Sequence, residues 1–518
     1  MYRLEAIWPR LGPPLFVLAL SVYWLLRFGG LWAESDSATF TGYIRNFVAA
    51  EELIPQEGAI YPNGYLYQAI SAFIVAATGL DVVTLQQIVH PLLAVLLVPV
   101  AWLAFREVVR NERWAAVCTV LLFTQPDFLF VVMRSSHEMF TRMLMLLAIF
   151  LVARIIVTRH SPAQLGTFVL LLSTTVFALF SSNYLLGGSF ALATLLAIGF
   201  GYALWLWKPH LKTAAGKLSR LLPSMAAVFL IVAYFVMYYV YPPARHDLLV
   251  VRQTWDLVTG LFTEGGGVGL GAVYQPVGLW INAPTYLVLT SANWIILAIS
   301  AALWARKGLS WLTRWDKPIS ESYFFIWLLY SAFVLQGGLA LVADLSGALS
   351  SNLQVRLFPS FSMIAVALIG AEAAGKRHWP RVSPRTWLAL TAGVAVLSVF
   401  SLFKATNEPL VSNKWLFYRD SELAGLRWAD RHVGEGRGIW TDFDERLAVA
   451  YETVFGEPRS IFTSGLTPTT RTIIVSDVTL LRSTRMMQTP PLLPDTLRVY
   501  DNGVTRVYHL RPLSPYQP

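Results

Sequence analysis

The stretch Trp32-Ala33-Glu34-Ser35-Asp36 decides how the chain is arranged, because it directly follows an apolar segment, Pro13 to Leu31, that is long enough to cross a bilayer. Two acidic side chains two residues apart are costly to place at the edge of a membrane. Asp36 alone is also typical of a helix N-cap, but capping does not require Glu34 as well. We therefore predict that Glu34 and Asp36 line a catalytic or substrate-binding site, for which the rest of the chain is a scaffold.

An amphipathic helix is predicted directly after this acidic pair. Apolar residues recur at the spacing of one helix face, at Phe40, Tyr43, Ile44, Phe47 and Val48. Such a helix is expected to lie along the membrane surface, with its apolar face toward the lipid and Asp36 at or near its start. The two carboxylates would then stand at the boundary between water and lipid.

The composition indicates a membrane protein. Of the 518 residues, 55% are hydrophobic and only 14% are charged, whereas a soluble domain has about 25% charged residues. The net charge of +9 does not indicate a nucleic-acid partner, because the basic residues cluster in short loops between apolar segments. Cys118 is the only cysteine, which excludes disulfides and cysteine-based zinc sites. The first apolar segment lacks a clear small-residue cleavage site and is expected to remain as an anchor.

The spacing of apolar segments predicts about eleven membrane spans. After the first, they lie at about 86–105, 114–132, 138–157, 164–183, 187–206, 222–242, 283–304, 321–343, 355–374 and 386–403. Basic clusters occupy every second loop, which predicts a cytoplasmic N-terminus and an extracytoplasmic C-terminus in a cell membrane. Tyr65–Ala77 is too short to span and would reverse that alternation. Residues 34–84 are therefore predicted to form one external loop with two surface helices.

Two further regions complete the predicted domain organisation. A second external loop, at about 243–283, carries Arg245, His246 and Arg252, and its glycine run at 265–267 fits no nucleotide-binding motif. Residues 1–405 are predicted to form the transmembrane domain, and residues 406–518 a small soluble α/β domain. The predicted elements of that domain are helices at Ser421–His432 and Asp444–Phe455, strands at Gly438–Phe443 and Thr472–Ser476, and a closing hairpin at Leu497–Tyr500 and Thr505–Leu510.

Three other groups of residues fall on the same side as Asp36 in this topology. Arg134-Ser135-Ser136-His137-Glu138 joins two spans and is either a polar turn with an Arg–Glu pair or a second wall of the site. Arg356 heads a span on the side where positive charge is rare, so it either extends its charge to the interface or binds a phosphate. The turn Tyr61-Pro62-Asn63-Gly64-Tyr65 punctuates the loop and could also line the site.

This layout resembles the GT-C glycosyltransferases, which include protein mannosyltransferases, aminoarabinose transferases and oligosaccharyltransferase catalytic subunits. The resemblance rests on the Glu34-Ser35-Asp36 pair after the first span, the two external helices, the Tyr61–Tyr65 turn and the Arg356-Leu357-Phe358-Pro359 run. It covers roughly residues 10–405 and implies an all-α polytopic fold with a small C-terminal α/β domain.

The resemblance also implies an activity. Asp36, supported by Glu34, would be the general base of an inverting sugar transfer on the extracytoplasmic face. The donor would be a polyprenyl-phosphate-linked sugar in the membrane lipid, and the acceptor a hydroxyl or similar group of a glycan, lipid or protein. Arg356 would stabilise the leaving phosphate, with Arg134, His137, Glu138, Tyr61, Asn63 and Tyr65 as further substrate-binding candidates. The acidic pair, His137 and Glu138 could supply ligands for a divalent metal, but nothing fixes a cofactor.

Two other functions stay open at the level of sequence. A ligase or polymerase of lipid-linked glycans would use basic residues of a large loop, here Arg245, His246 and Arg252. A transporter or flippase would need charged residues in the middle of a span and repeated halves, which the sequence does not display. The sugar, the lipid carrier and the acceptor are not identified by any residue pattern.

Overall fold

The structure is a computed structural model. It describes residues 2–55, 60–157, 161–207, 212–245, 283–313, 320–345, 353–375, 384–407, 418–441, 445–455, 461–462, 470–480 and 496–510, with a few positions between 248 and 260. The chain is a helical bundle up to residue 407, followed by a small domain that contains a five-stranded sheet.

Helices occupy most of the described chain before residue 407. They are α1 (Tyr2–Phe28), α2 (Ser35–Ala50), α3 (Leu66–Thr78), α4 (Val82–Val109), α5 (Glu112–Phe123), α6 (Pro126–Met133), α7 (Glu138–Val157), α8 (Pro162–Ser182), α9 (Tyr184–Trp207), α10 (Lys212–Phe235), α11 (Ala283–Leu289), α12 (Ser291–Thr313), α13 (Glu321–Leu345), α14 (Leu353–Gly375) and α15 (Pro384–Thr406). Helix α4 contains a π-helical turn at Leu85–Val89, and α10 continues into another at Val236–Val240 and a 3-10 turn at Pro242–Arg245.

A multi-pass membrane protein follows from the length and apolarity of these helices. Over the described residues, seven of them are long and apolar enough to cross a membrane: α1, α4, α7, α8, α9, α13 and α14. The pair α5 and α6 would make an eighth if it forms one span. Helices α10, α12 and α15 lie at the remaining predicted positions, and there the described parts are shorter or less apolar.

The apolar segment predicted at 114–132 is bent, because α5 and α6 meet at an angle of 79°. Pro126 is the first residue of α6, and Gln125 before it has the extended backbone that a following proline favours. Proline also lacks the N–H that would continue the hydrogen bonding of α5. The bend turns α6 away from the axis of α5 and so aims its C-terminal end, Arg134, in a different direction.

The predicted orientation of the α2 apolar face is also wrong. Phe40, Ile44 and Phe47 are 3%, 0% and 2% exposed, so protein rather than lipid covers this face. Phe40 and Ile44 form one cluster with Tyr67 of α3 and Val82 of α4. The amphipathic pattern predicted the helix correctly, and the short helix at Tyr65–Ala77 is α3. The apolar face of α2 packs against α3 and α4.

The C-terminal domain has the predicted α/β character. Its elements are α16 (Asp420–His432), β1 (Gly438–Trp440), α17 (Glu445–Phe455), β2 (Ile461–Phe462), β3 (Thr470–Ser476), β4 (Thr496–Asp501) and β5 (Thr505–Leu510). The sheet order is β2-β1-β3-β5-β4, with β1 parallel to β2 and β3, and β5 antiparallel to β3 and β4. In the predicted hairpin turn, Gly503 has φ +87° and donates its N–H to Asp501 Oδ1 at 2.8 Å. Strand β2 was not predicted.

The start of α2 is part of the core of this domain. Trp32 and Ala38 are buried in one cluster with residues of α16, α17 and the sheet, and the Trp32 ring lies 5.7 Å from that of Tyr418. Thr453 of α17 donates its hydroxyl to the Ala38 carbonyl at 3.1 Å. Residues on both sides of Glu34 and Asp36 are therefore held by the C-terminal domain. The division of the chain at residues 405 and 406 stays a prediction.

Close packing of α14 against α5 generates a stability prediction. A Cβ at Gly370 would overlap with the sulfur of Cys118 and lie 3.2 Å from Val109 Cγ2. Gly370→Ala is therefore expected to lower stability by about 1–3 kcal/mol, the usual cost of overpacking. Adding Cys118→Ala removes the overlapping sulfur and should restore most of the loss. Thermal unfolding of the purified protein in detergent measures both effects.

A matched control is Gly375→Ala, since a Cβ at that end of the same helix would have no atom of another described segment within 4 Å. This variant should unfold close to the wild-type temperature. A Gly370→Ala variant that Cys118→Ala leaves unimproved would contradict the packing described here.

Candidate functional site

Three segments meet at the candidate site, and each lies at the end of a helix. They are the α1–α2 junction with Glu34 and Asp36, the α6–α7 junction at residues 134–138, and the first turn of α14 with Arg356. Hydrogen bonds and ion pairs link all three. Candidate residues that the sequence predicted separately, in distant parts of the chain, thus lie close together in the structure.

Glu34, rather than Asp36, is the N-cap of α2. Its backbone is extended, and its side chain accepts the N–H of Asp36 at 2.8 Å and that of Ser37 at 3.1 Å. The side chain is fully buried. The capping role that the sequence left open for Asp36 therefore belongs to its neighbour, and the Asp36 carboxylate is left to face outward from the first turn of α2.

Asp36 is half-exposed and is oriented by Arg134. The Asp36 side chain is 39% exposed, and its Oδ2 lies 3.2 Å from Nη1 of Arg134. The same guanidinium lies 3.9 Å from Glu34 Oε1, and its other amino group lies 2.7 Å from Glu138 Oε1. One arginine, only 8% exposed, thus bridges three carboxyl groups. Asp36 is the one among them that solvent or a substrate reaches.

The Glu34 carboxyl is arranged to hold a proton. Burial raises its pKa to about 8, and the charge of Asp36 acts in the same direction, whereas Arg134 and the hydrogen bonds from the Asp36 N–H and the Ser37 hydroxyl oppose the rise. The contacts of Ser37 agree with this: its hydroxyl touches both Glu34 Oε1 and the carbonyl of Arg134. A hydroxyl has only one proton to donate, so a proton on Glu34 satisfies both contacts.

Arg134 keeps its positive charge in this setting. Burial would lower its pKa, but the acidic groups around it, Glu138 above all and then Glu34 and Asp36, outweigh burial and hold the pKa above its usual value. Next to it, Ser135 has φ +56°, a left-handed backbone that a residue other than glycine rarely adopts. Strain of this kind is found where the surrounding structure fixes a functional segment.

Arg142 is a member of the site that sequence reasoning missed. It lies one turn inside α7 and is fully buried. It donates to Glu138 Oε2 at 3.0 Å and to the carbonyl oxygen of Arg356 at 3.0 Å, and it contacts the hydroxyl of Ser360. Arg134, Glu138 and Arg142 have the i, i+4, i+8 spacing of one helix face, which was the available signal.

Arg356 lies on the same side of the bundle as Asp36. Its side chain is exposed in the first turn of α14, and its carbonyl is the one that Arg142 binds. Its charge is close enough to His137 to help lower the pKa of that imidazole. A chain of contacts, Arg356–Arg142–Glu138–Arg134, therefore connects it to Asp36.

His137 is buried and neutral. Burial lowers the pKa of its imidazole to about 3; Glu138 opposes this, and Arg134, Arg142 and Arg356 add to it. Asn183 Nδ2 lies 2.8 Å from Nε2, and Asn183 Oδ1 accepts the N–H of Leu186, which fixes the amide orientation. Nε2 is therefore the acceptor, and the proton lies on Nδ1, which has no partner among the described residues.

The Tyr61–Tyr65 turn has two separate roles. The Tyr61 ring lies 4.8 Å from that of His137, so Tyr61 belongs to the wall of the site. Asn63 and Tyr65 contribute backbone hydrogen bonds. The Asn63 carbonyl accepts the N–H of Tyr184 at 2.7 Å, and the Tyr65 N–H donates to the Ser181 carbonyl at 2.8 Å. A Cβ at Gly64 would overlap with the backbone of Ser182. These contacts hold the turn on the α8–α9 junction.

The basic residues of the second external loop make contacts elsewhere. The Arg245 guanidinium lies 4.7 Å from the centre of the Tyr238 ring. Arg252 is exposed and lies 3.8 Å from Asp256 in the next turn. His246 and the glycine run at 265–267 lie outside the described residues. The described contacts therefore give no support to a site built on this loop.

The acidic groups as arranged do not fit a divalent metal. Among the residues that the structure describes, no group of three or more His, Cys, Asp or Glu side chains is placed to hold an ion. The Arg134 guanidinium lies 2.7–3.9 Å from oxygens of Asp36, Glu34 and Glu138 and would compete with a divalent ion for them. No step of the chemistry below is routed through a metal.

Comparison with known proteins identifies the fold. No protein-family model matches the sequence, and no curated protein sequence matches it. The oligosaccharyltransferase AglB from Archaeoglobus fulgidus, solved with an inhibitory peptide and a dolichol-phosphate, aligns over 93% of this chain and 71% of its own, with TM-score 0.57 and 13% identity. ArnT from Cupriavidus metallidurans, solved with undecaprenyl phosphate, aligns over 96% of this chain and 97% of its own, with TM-score 0.50 and 12% identity. The chain therefore shares the fold of these two proteins.

The raised pKa of Glu34 generates a prediction about stability and pH. The carboxyl titrates near pH 8 when folded and near its ordinary 4.5 when unfolded, so the folded state holds more protons between these values. Stability should therefore fall as the pH rises from about 4.5 to 8. Glu34→Gln keeps a capping oxygen and removes the titration, so its melting temperature should vary less over this range. Gly375→Ala, which changes no titratable group, is the control and should keep the wild-type slope. An unaltered slope in Glu34→Gln would contradict the assignment.

Proposed function

We propose that the protein is an inverting glycosyltransferase that moves a sugar from a polyprenyl-phosphate carrier to an acceptor hydroxyl or similar group, with Asp36 as the general base. The fold supports the proposal, since the similar structures are GT-C glycosyltransferases and two of them hold a lipid phosphate. Fold alone does not determine activity, so the argument rests on the site.

The observation that carries the proposal is that the two acidic residues, Glu34 and Asp36, stand in different environments. Glu34 is buried, caps α2 and favours its protonated form. Asp36 is half-exposed at the end of the first span and is oriented by a buried, charged arginine. A general base must be reachable by the acceptor and held in one orientation, and Asp36 satisfies both conditions.

The proposed reaction is a single displacement. The acceptor oxygen attacks the anomeric carbon of the donor while Asp36 takes the hydroxyl proton. The new carbon–oxygen bond forms as the bond between the anomeric carbon and the phosphate oxygen breaks, and the electron pair of that bond leaves with the polyprenyl phosphate. One displacement inverts the configuration at the anomeric carbon. The site keeps Asp36 paired with Arg134, which holds the carboxylate in place without protonating it.

Arg356 is proposed to stabilise the leaving phosphate. Its exposed guanidinium stands in the first turn of α14, and its backbone is bound by Arg142, which fixes the start of that helix. Negative charge grows on the phosphate oxygen as the bond breaks, and a guanidinium can bind two phosphate oxygens at once. The Nδ1–H of the neutral His137, which has no partner among the described residues, offers a further hydrogen-bond donor beside Tyr61.

The site is proposed to face the extracytoplasmic side of the plasma membrane. Arg106, Arg110 and Arg113 at the ends of α4 and α5, like the other basic clusters, then lie in the cytoplasm with the N-terminus. The Asp36 end of α1 and the C-terminal domain lie on the opposite side. A lipid-linked donor would reach Asp36 from the outer leaflet.

Replacing the proposed base tests the reaction directly. Asp36→Asn should fold and insert but lower sugar transfer at least about 100-fold, the usual scale for loss of a general base. Release of polyprenyl phosphate from a panel of polyprenyl-phosphate sugars, in proteoliposomes, measures the reaction. Asp81→Asn, at a helix cap on the same external segment, is the matched control and should stay active. Wild-type turnover in Asp36→Asn would remove the assignment.

The role of Arg356 is tested by a conservative change. Arg356→Lys should lose at least about tenfold in activity, because an ammonium cannot reproduce the two-pronged contact with phosphate. The same change at the exposed Arg252 should have no effect on activity. If the protein were instead a ligase or polymerase that uses the second external loop, Arg252→Lys should lower activity and Arg356→Lys should not. If lysine replaces Arg356 freely, the side chain only carries charge to the interface, and the phosphate role is wrong.

A further inference from the structure

A second binding groove lies at the opposite end of α1 from Asp36. It has a volume of about 410 Å³ and runs between the N-terminal half of α1, the C-terminal half of α4 and the start of α5. Its principal wall residues are Pro13, Val98, Trp102, Arg10, Arg106 and Glu112. We call it the α1–α4 groove. Arg10 precedes the end of α1 by 18 residues, which corresponds to about 27 Å of helix, so this groove is separate from the candidate site.

Both walls of the groove change from apolar to cationic in the same direction. On α4, Val98, Trp102 and Arg106 follow one another at i, i+4 and i+8 and so lie on one face, about 6 Å apart along the axis. On α1, which runs the opposite way, Pro13 lies below Arg10. This order matches that of a phospholipid. The apolar floor corresponds to the acyl chain, the aromatic ring at mid-height to the ester, and the two guanidinium groups at the rim to the phosphate.

Trp102 supplies an unused hydrogen-bond donor at this mid-height. Its indole Nε1–H is buried and has no partner among the described residues. The guanidinium of Arg106 lies 5.2 Å from the ring centre, which keeps the indole and the arginine in one arrangement. Tryptophan is enriched at the membrane interface, where its ring is apolar and its N–H needs an acceptor. An ester carbonyl of a lipid would supply that acceptor.

The charge at the rim favours an anionic headgroup. The side chains of Arg10 and Arg106 are 70% and 50% exposed, and both share a single carboxylate, Glu112, at 3.8 and 3.2 Å. One positive charge is therefore left over, and Arg110, which directly follows α4, adds to it. Basic pockets between membrane helices on the cytoplasmic side bind anionic lipid headgroups.

We propose that the α1–α4 groove binds one anionic glycerophospholipid of the leaflet opposite Asp36. Its phosphate lies between Arg10 and Arg106, an ester carbonyl accepts the Trp102 N–H, and an acyl chain lies along Pro13 and Val98. A free phosphate has no part that would cover the apolar floor, and a neutral lipid would leave the rim charge uncompensated. The lipid fixes the inner ends of α1 and α4. The proposal does not depend on the proposed transferase activity.

The test measures lipid retention by native mass spectrometry of the full-length, delipidated protein in detergent. Phosphatidylglycerol should bind at least about tenfold more tightly than phosphatidylcholine. Each of Arg10→Gln and Arg106→Gln should weaken phosphatidylglycerol binding about fivefold, as expected for one interfacial charge. Trp102→Phe keeps the ring and should weaken binding without changing the preference for an anionic head. Arg306→Gln is the control, because Arg306 is exposed and paired with Glu372 away from the groove.

Other outcomes would overturn the proposal in distinguishable ways. Equal retention of both lipids, unaffected by the arginine changes, means ordinary solvation by lipid. Displacement of phosphatidylglycerol by millimolar inorganic phosphate means an anion site without a lipid. Tighter binding of a polyprenyl phosphate than of phosphatidylglycerol assigns the groove to a carrier lipid instead. If the Arg10 or Arg106 variant fails to fold, Trp102→Phe still decides, since wild-type retention in that variant contradicts the contact with the indole N–H.

Discussion

The burial of the Arg134 guanidinium is the constraint on which the rest of the candidate site depends. A charge in this position is tolerated only when it is paired and hydrogen-bonded, and removal of one partner from such a group costs about 3–5 kcal/mol. The partners come from α2 and α7, and Arg142 extends the network to α14. Because the charges must balance, three segments that are far apart in the sequence are held at fixed positions relative to one another.

This network also separates two carboxyl groups that are only two residues apart. Glu34 is surrounded by protein and favours its neutral form, whereas Asp36 faces the solvent beside a cation. Environments that push neighbouring acids toward different protonation states are a usual way of giving them different roles. Here one carboxyl serves the structure and the other is left for chemistry. A single backbone turn, in which Glu34 accepts two N–H groups, produces the difference.

Much of the fold could be predicted from the sequence because membrane spans and surface helices depend on local patterns. The apolar runs predicted the bundle, and the spacing in α2 and the turn at Asp501–Gly503 predicted their elements. The bend before Pro126 was missed because the apolar run continues through it. The exchange of roles between Glu34 and Asp36 was missed because both residue types suit a helix start. The protein cover over Phe40 and the contacts of Arg142 depend on residues far away along the chain, which no local pattern reveals.

The contact between Thr453 and Ala38 joins residues 415 positions apart. It also sets an order of events during biosynthesis. A ribosome adds about 5–20 residues per second, so roughly 20 to 80 s pass between the synthesis of Ala38 and that of its partner. During that interval α1 can enter the membrane and α2 can form, but the core that encloses Trp32 and Ala38 is incomplete. A chain that stops at the end of α15 can already pair Asp36 with Arg134, but the residues on either side of the acidic pair still lack the C-terminal domain that packs against them.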